Sequence, residues 1–136
     1  MIQVIAGKKG SGKTKRIIDM ANQAVERSSH DIVFIDDDTR YMFDLRHEVR
    51  FINAGEYDLV NEFMFMGLLC GVVAQNFDIG LILIDAFKKL IKTELGNAAW
   101  LVERMERISK EHNVDFVLSV SADVEELPDF LKKYVV

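Results

Sequence analysis

Gly7-Lys8-Lys9-Gly10-Ser11-Gly12-Lys13-Thr14 separates two stretches of different periodicity. Before it, Ile2, Val4, Ile5 and Ala6 make Met1–Ala6 apolar on both faces, as a strand covered by helices requires. After it, Ile17, Ile18, Ala21, Ala24 and Val25 recur at helical spacing. The octet itself fits G-x-x-x-x-G-K-[ST] without a mismatch. Glycine at 7, 10 and 12 allows dihedrals and close approaches that a Cβ forbids, so successive amides can turn toward one anion. A helix starting near Lys13 adds its positive dipole end at the same point. Lys13 is then placed to reach the β- and γ-phosphates of a nucleotide, and the Thr14 hydroxyl to ligate Mg²⁺. All eight positions, Lys8, Lys9 and Ser11 included, are expected to line the phosphates.

Outward from the loop, two more apolar runs end in acids. Ile32–Ile35 leads into Asp36, Asp37 and Asp38, and Leu81–Ile84 leads into Asp85. Ligands of open α/β sheets bind off the carboxyl ends of strands, so these acids are expected beside the loop. Val49–Ile52 is a third strand, and Asp115–Ser121 is a last central one ending in the hydroxyls Ser119 and Ser121. Thr39–Glu48 reads as an irregular link and Ala54–Asp58 as a turn. Leu59–Gln75 reads as a helix without a polar face, and such helices are buried in the fold or under a partner. Phe87–Leu95 is a short helix stopped by Gly96, with Lys88, Lys89 and Lys92 outward. In the Asn97–His112 helix Trp100, Leu101, Met105 and Ile108 point inward, with Glu103–Arg107 and Glu106–Lys110 paired outside. Asp123 and Glu126 suggest a capping box, and Pro128 opens a terminal helix through Lys133. The pattern predicts one domain, residues 1–136: a three-layer α/β/α fold with a five-stranded, mainly parallel sheet.

Composition narrows the function classes. The 136 residues are 49% apolar and 29% charged, enough to bury a core without staples. A net charge of −5 and the lack of a long basic run argue against sequence-independent nucleic-acid binding. The uncharged run Phe63–Ala74 is too short to span a bilayer, so no membrane role is expected. Cys70 is alone and sits among apolar residues, which predicts an inert core thiol. His30, His47 and His112 lack zinc-site spacing. Met1 leads directly into a strand without a signal peptide, and a soluble cytoplasmic protein is the expectation.

Taken together, these motifs resemble a minimal P-loop NTPase across nearly the whole chain. The nearer resemblance is to the RecA-like ATPase core, through Phe34-Ile35-Asp36-Asp37-Asp38, Leu81-Ile82-Leu83-Ile84-Asp85 and Glu111–Ser119. It implies Mg²⁺ held by Thr14 and Asp85, water oriented by Asp37 or Asp38, and a γ-phosphate sensor at Ser119 or Ser121. With Lys13, Asp37 and Asp38 are the implied catalytic groups. It also implies that Asp115–Ser121 lies between the first strand and Leu81–Ile84, which a right-handed crossover from Asn97 onward allows. Type II thymidine kinases share this core, but their zinc ligands and nucleoside lasso are absent. A second resemblance is to the deviant-Walker ATPases: Lys8 follows the first glycine, and Asp36-Asp37-Asp38-Thr39-Arg40 is similar to their D-x-D-x-R segment. Lys9 stands where those proteins have a second glycine. Chains of this type are sometimes labelled twitching-motility ATPases, a resemblance confined to the loop.

The expected function is Mg-ATP binding with slow or partner-dependent hydrolysis, because Ala86 stands where many efficient ATPases place a glutamate. A non-enzymatic nucleotide sensor and a small-molecule kinase are the alternatives. Arg40, Arg46 and Arg50 are expected to face a neighbour, with Leu59–Gln75 as the contact for a second copy or another protein.

Overall fold

The computed structural model describes residues Met1–Val136. Five strands form one all-parallel sheet: β1 (Ile2–Gly7), β2 (Asp31–Asp36), β3 (Val49–Asn53), β4 (Ile79–Ile84) and β5 (Asp115–Ser121), in the order β1-β5-β4-β2-β3. The helices are α1 (Lys13–Arg27), α2 (Glu62–Ala74), α3 (Phe87–Ile91), α4 (Ala99–His112) and α5 (Asp129–Lys132). β5 lies between β1 and β4, as the resemblance to the RecA-like core implies, with Val4 opposite Leu118 and Leu83 opposite Val117.

Alternation along the strands makes two cores, because successive side chains leave a strand on opposite faces. Ile5, Phe34, Leu83 and Val117 face α1 and pack with Ile17, Ile18 and Ala21. Val4, Val33, Ile35, Ile82, Ile84, Phe116 and Leu118 face the other way, toward α2, α3 and α4. The result is helix, sheet, helix in three layers. Every strand is in a parallel pair, so each needs a crossover, and all five carboxyl ends gather on one edge.

Beside β1 runs the chain's final segment. The Val4 amide donates to the Tyr134 carbonyl at 2.9 Å, and the Val136 amide donates to the Val4 carbonyl at 3.0 Å. Val4 and Val135 form an isolated parallel bridge.

Several local expectations give way. Asn61 caps α2 by accepting from the Met64 amide at 2.9 Å, so the helix starts at Glu62 and not Leu59. Only one face of α2 is buried, through Phe65, Met66, Leu69, Val72 and Val73, while Phe63, Met64 and Cys70 are exposed. Cys70 is therefore no core thiol; on this helix uniform apolarity hides which face packs. α3 stops at Lys92, which takes a left-handed φ of 52°, and Leu95–Asn97 forms a separate 3-10 turn. Trp100 is partly exposed and lies against Phe63, ring centres 4.9 Å apart. Arg107 pairs with Glu111 at 3.3 Å in place of Glu103, whereas the Glu106–Lys110 pair forms at 3.3 Å. Asp123 makes no capping box: it faces Lys8 at 3.7 Å, and α5 is a single turn after Pro128.

Candidate functional site

Between β1 and α1 the Gly7–Thr14 loop turns through two left-handed glycines, Gly10 at φ 83° and Gly12 at φ 88°. An L-residue is strained at both. Gly7 is needed for space, since a Cβ there would fall 2.5 Å from Ser11 Oγ. The Ser11 amide donates to the Lys8 carbonyl at 3.1 Å, whereas the Lys9, Gly10 and Gly12 amides have no acceptor within the chain. Helix α1 starts directly behind them, and no side chain caps it. The loop thus presents unpaired donors at a helix amino terminus, which is the physical requirement of an anion site. Lys13 is 9% exposed and folds its ammonium back over the loop, donating to the Lys8 carbonyl at 2.9 Å and to Ser11 Oγ at 3.4 Å.

Thr14 opens α1 on the side facing the sheet. Its hydroxyl donates to Asp85 Oδ2 at 3.1 Å. The other oxygen, Asp85 Oδ1, accepts from the Ser119 hydroxyl, and Ser119 Oγ accepts in turn from the Ala86 amide at 3.0 Å. Ala86 takes a left-handed φ of 57°, which turns the chain sharply after Asp85. Two strands and a helix start therefore converge on one buried carboxylate. Thr14 and Asp85 are a hydroxyl and a carboxylate side by side, hard oxygen donors that could hold a hard divalent cation.

The acid run is not uniform. Asp36 belongs to β2 and is 2% exposed. One of its oxygens, Oδ1, accepts from the Asp37 amide at 2.7 Å, while Oδ2 is buried without a partner. Burial first, then its side-chain contact with Asp37 and the nearby Asp85 charge, push the Asp36 carboxyl up to about 8. Asp37 and Asp38 are half-buried and held by cations, Asp37 by Lys89 at 3.9 Å and Asp38 by Arg40 at 3.1 Å. One donor oxygen from each of the three acids lies within 4.8 Å of the others.

These groups share a cavity of about 950 Å³. The loop, Asp85, Ser119 and Ser121 line one end, and Asp37, Asp38, Arg40 and Tyr41 line the other. Lys88 and Lys89 of α3 form part of its wall, so the lysines expected to point outward are exposed yet face this space. They were hidden in the sequence because helical spacing gives no direction to a helix of five residues. Asp36 was likewise hidden, one of three identical letters. Arg46 pairs within the chain with Glu26 and Glu48, and Arg50 with Asp31, and both remain exposed. Lys8 is exposed at the loop's outer rim.

Compared with family models and with curated proteins, the chain matches none. No helix is long and apolar enough to cross a membrane.

Proposed function

We propose that this protein binds Mg-ATP or a related nucleoside triphosphate at Gly7–Thr14 and, alone, hydrolyses it slowly. The observation that carries the reading is the set of unpaired amides at Lys9, Gly10 and Gly12, with the Lys13 ammonium above them and the α1 start behind. A polyphosphate answers both the donors and the dipole. Thr14 and Asp85 would hold the magnesium ion, which supplies charge neutralisation to the phosphates when bound. Ser119, bonded to Asp85, would report the state of the terminal phosphate, and Asp37 or Asp38 would orient the attacking water. The resemblance to the RecA-like ATPase core is supported by the position of β5 between β1 and β4. The deviant-Walker alternative has less behind it, since Lys8 has a partner in its own chain, Asp123.

A nucleotide sensor is the second reading, favoured by Ala86 beside Asp85 and by the exposed apolar side of α2, which could meet a partner.

Replacing Lys13 by alanine tests the site. Its loss removes a charge-assisted contact of about 1.5–3 kcal/mol, so Mg-nucleotide affinity by calorimetry should fall about 10- to 150-fold with the thermal transition kept. Equal affinity in parent and variant would reject the loop as the binding site.

A further inference from the structure

The lining of the cavity runs past the phosphate loop and Asp85 to residues that follow β2. On the reading above, on which this inference rests, Lys13 takes the β- and γ-phosphates, and Thr14 and Asp85 flank the γ end. Asp85 closes β4, which lies beyond β5 from the loop strand β1. The terminal phosphate therefore points along the sheet edge toward β2, and the nucleoside leaves the other way. Past β4 the cavity continues along Asp37 and Asp38 to Tyr41 and Asp44, with Ile18 and Asn22 of α1 opposite. Asn22 fixes this far wall: its amide group donates to the Asp44 carbonyl at 3.0 Å and its oxygen accepts from the Arg46 amide at 2.9 Å. A water molecule occupies about 30 Å³ in the liquid, so a site shaped for hydrolysis alone has no use for this lobe.

We propose that the β2-side lobe binds a second substrate, a neutral small molecule whose hydroxyl group accepts the terminal phosphoryl group. Charge argues for neutrality. Asp38 is met by Arg40 at 3.1 Å, Asp37 by Lys89 at 3.9 Å and Asp19 by Lys15 at 4.0 Å. The carboxylate oxygens, with Asp44, which has no ion pair, are acceptors suited to hydroxyl donors. Tyr41 is half-buried and carries the Arg40 guanidinium over its ring at 5.6 Å, which gives the lobe a flat wall for a carbon skeleton. Geometry argues for transfer. Attacking and leaving oxygens lie roughly in line across the phosphorus, and the lobe is on the side opposite the departing diphosphate.

In the step itself, the acceptor's hydroxyl oxygen forms a bond to the terminal phosphorus as the bond from that phosphorus to the bridging oxygen breaks. The nucleoside diphosphate leaves with the electron pair. The hydroxyl proton passes to the Asp37 carboxylate, whose side chain is 29% exposed, and from there to solvent. Lys89 keeps that carboxylate at the cavity wall, and Lys88, which has no ion pair, brings positive charge to the same wall. Slow hydrolysis by the protein alone follows, because water is then a poor substitute for the acceptor.

The test incubates the whole protein with Mg-ATP and, in turn, glycerol, glucose or uridine, and reads products by phosphorus NMR. A phosphomonoester of at least one probe is expected, in excess over inorganic phosphate. Tyr41→Ala and Asp44→Ala should each lower ester formation about tenfold, the loss of one contact in the lobe, with Mg-ATP affinity unchanged by calorimetry. Inorganic phosphate as sole product with all three probes, or no turnover at all, from a protein that binds Mg-ATP overturns the acceptor site alone. Ester formation undiminished in both variants overturns its placement in the lobe. Absence of Mg-ATP binding overturns this proposal together with the reading beneath it, and calorimetry separates the two failures.

Discussion

Asp36 and Asp85 stand at the carboxyl ends of adjacent parallel strands, just after the registered pair Ile35 and Ile84, and both are buried. Their surroundings differ. Asp85 has a hydroxyl on each oxygen, one from Thr14 and one from Ser119. Asp36 has one amide on Oδ1 and nothing on Oδ2. The cause is topological. β4 is flanked by β5, which ends in a serine, and sits under the start of α1, which supplies a threonine. β2 is flanked by β4 and β3, whose ends offer Asp85 and Asn53; the Asn53 oxygen already accepts from the Gly55 amide at 3.1 Å. Two acids that look alike in the sequence are thus solvated by the fold in one case and abandoned by it in the other.

The largest expected effect comes from neutralising the abandoned one. The unfolded chain releases the Asp36 proton near 3.8, whereas the folded protein keeps it up to about 8. Between those values the native state binds more protons, so this residue's contribution to stability falls as pH rises and levels off above about 8. Asp36→Asn should therefore gain stability over the parent on going from pH 5 to pH 8, by up to about 4 kcal/mol. Urea denaturation at both pH values, without divalent cations, reads this directly. A difference between the two proteins that is the same at both pH values would mean that Asp36 is no worse off than Asp85.

A smaller effect is expected from making Asp85 resemble its neighbour. Ser119→Ala removes one of its two hydroxyls and also strands the Ala86 amide, costing about 1–3 kcal/mol for unsatisfied buried groups. A midpoint shift in urea with an unchanged slope is the signature. If the variant matches the parent, water has replaced the serine, and the contrast between the two acids is weaker than the contacts suggest.

The smallest concerns Thr14. Thr14→Val keeps shape and deletes the donor to Asp85 Oδ2, a net loss of about 0.5–1.5 kcal/mol, while Thr14→Ser should recover most of it. Thermal melts of the three proteins in cation-free buffer provide the check. Recovery by valine as complete as by serine would show that Thr14 matters to Asp85 only through packing.

Legibility followed the same divide. The loop and the five strands could be read because runs such as Ile2–Ala6 and Leu81–Ile84 have no polar face and because glycine has special backbone uses at 7, 10 and 12; the insertion of β5 came from the resemblance to the RecA-like core and not from the runs themselves. Asp85 was legible as the acid after such a run. Its contact with Ser119 was anticipated only as a polar strand end, since Ser119 and Ser121 share a face and only depth along β5 makes the first buried and the second exposed. Asp36, Asp37 and Asp38 were read as one patch because a strand boundary falls within them, and one residue of strand length moves an acid from solvent to core. On α2, the apolar letters at Phe63, Met64 and Cys70 match those at Phe65, Met66 and Leu69, so periodicity carried no information about the buried face. Lys88 and Lys89 are exposed as read, but their place on the cavity wall was hidden because α3 is too short for a stripe.

The bridge between Val4 and the chain's last residues closes one border of the sheet. An uncovered parallel edge is a row of free donors and acceptors that another extended segment can join. At β1 the outward Val4 groups are already taken by Tyr134 and Val136, so no foreign strand can be added under the phosphate loop without first peeling that segment away. The opposite border, β3, places Arg50 62% exposed on its outer row, a charge that discourages zippering. Both borders of the sheet thus carry a device that disfavours continuous-sheet assembly between copies of this chain, a paired segment at β1 and an exposed charge at β3.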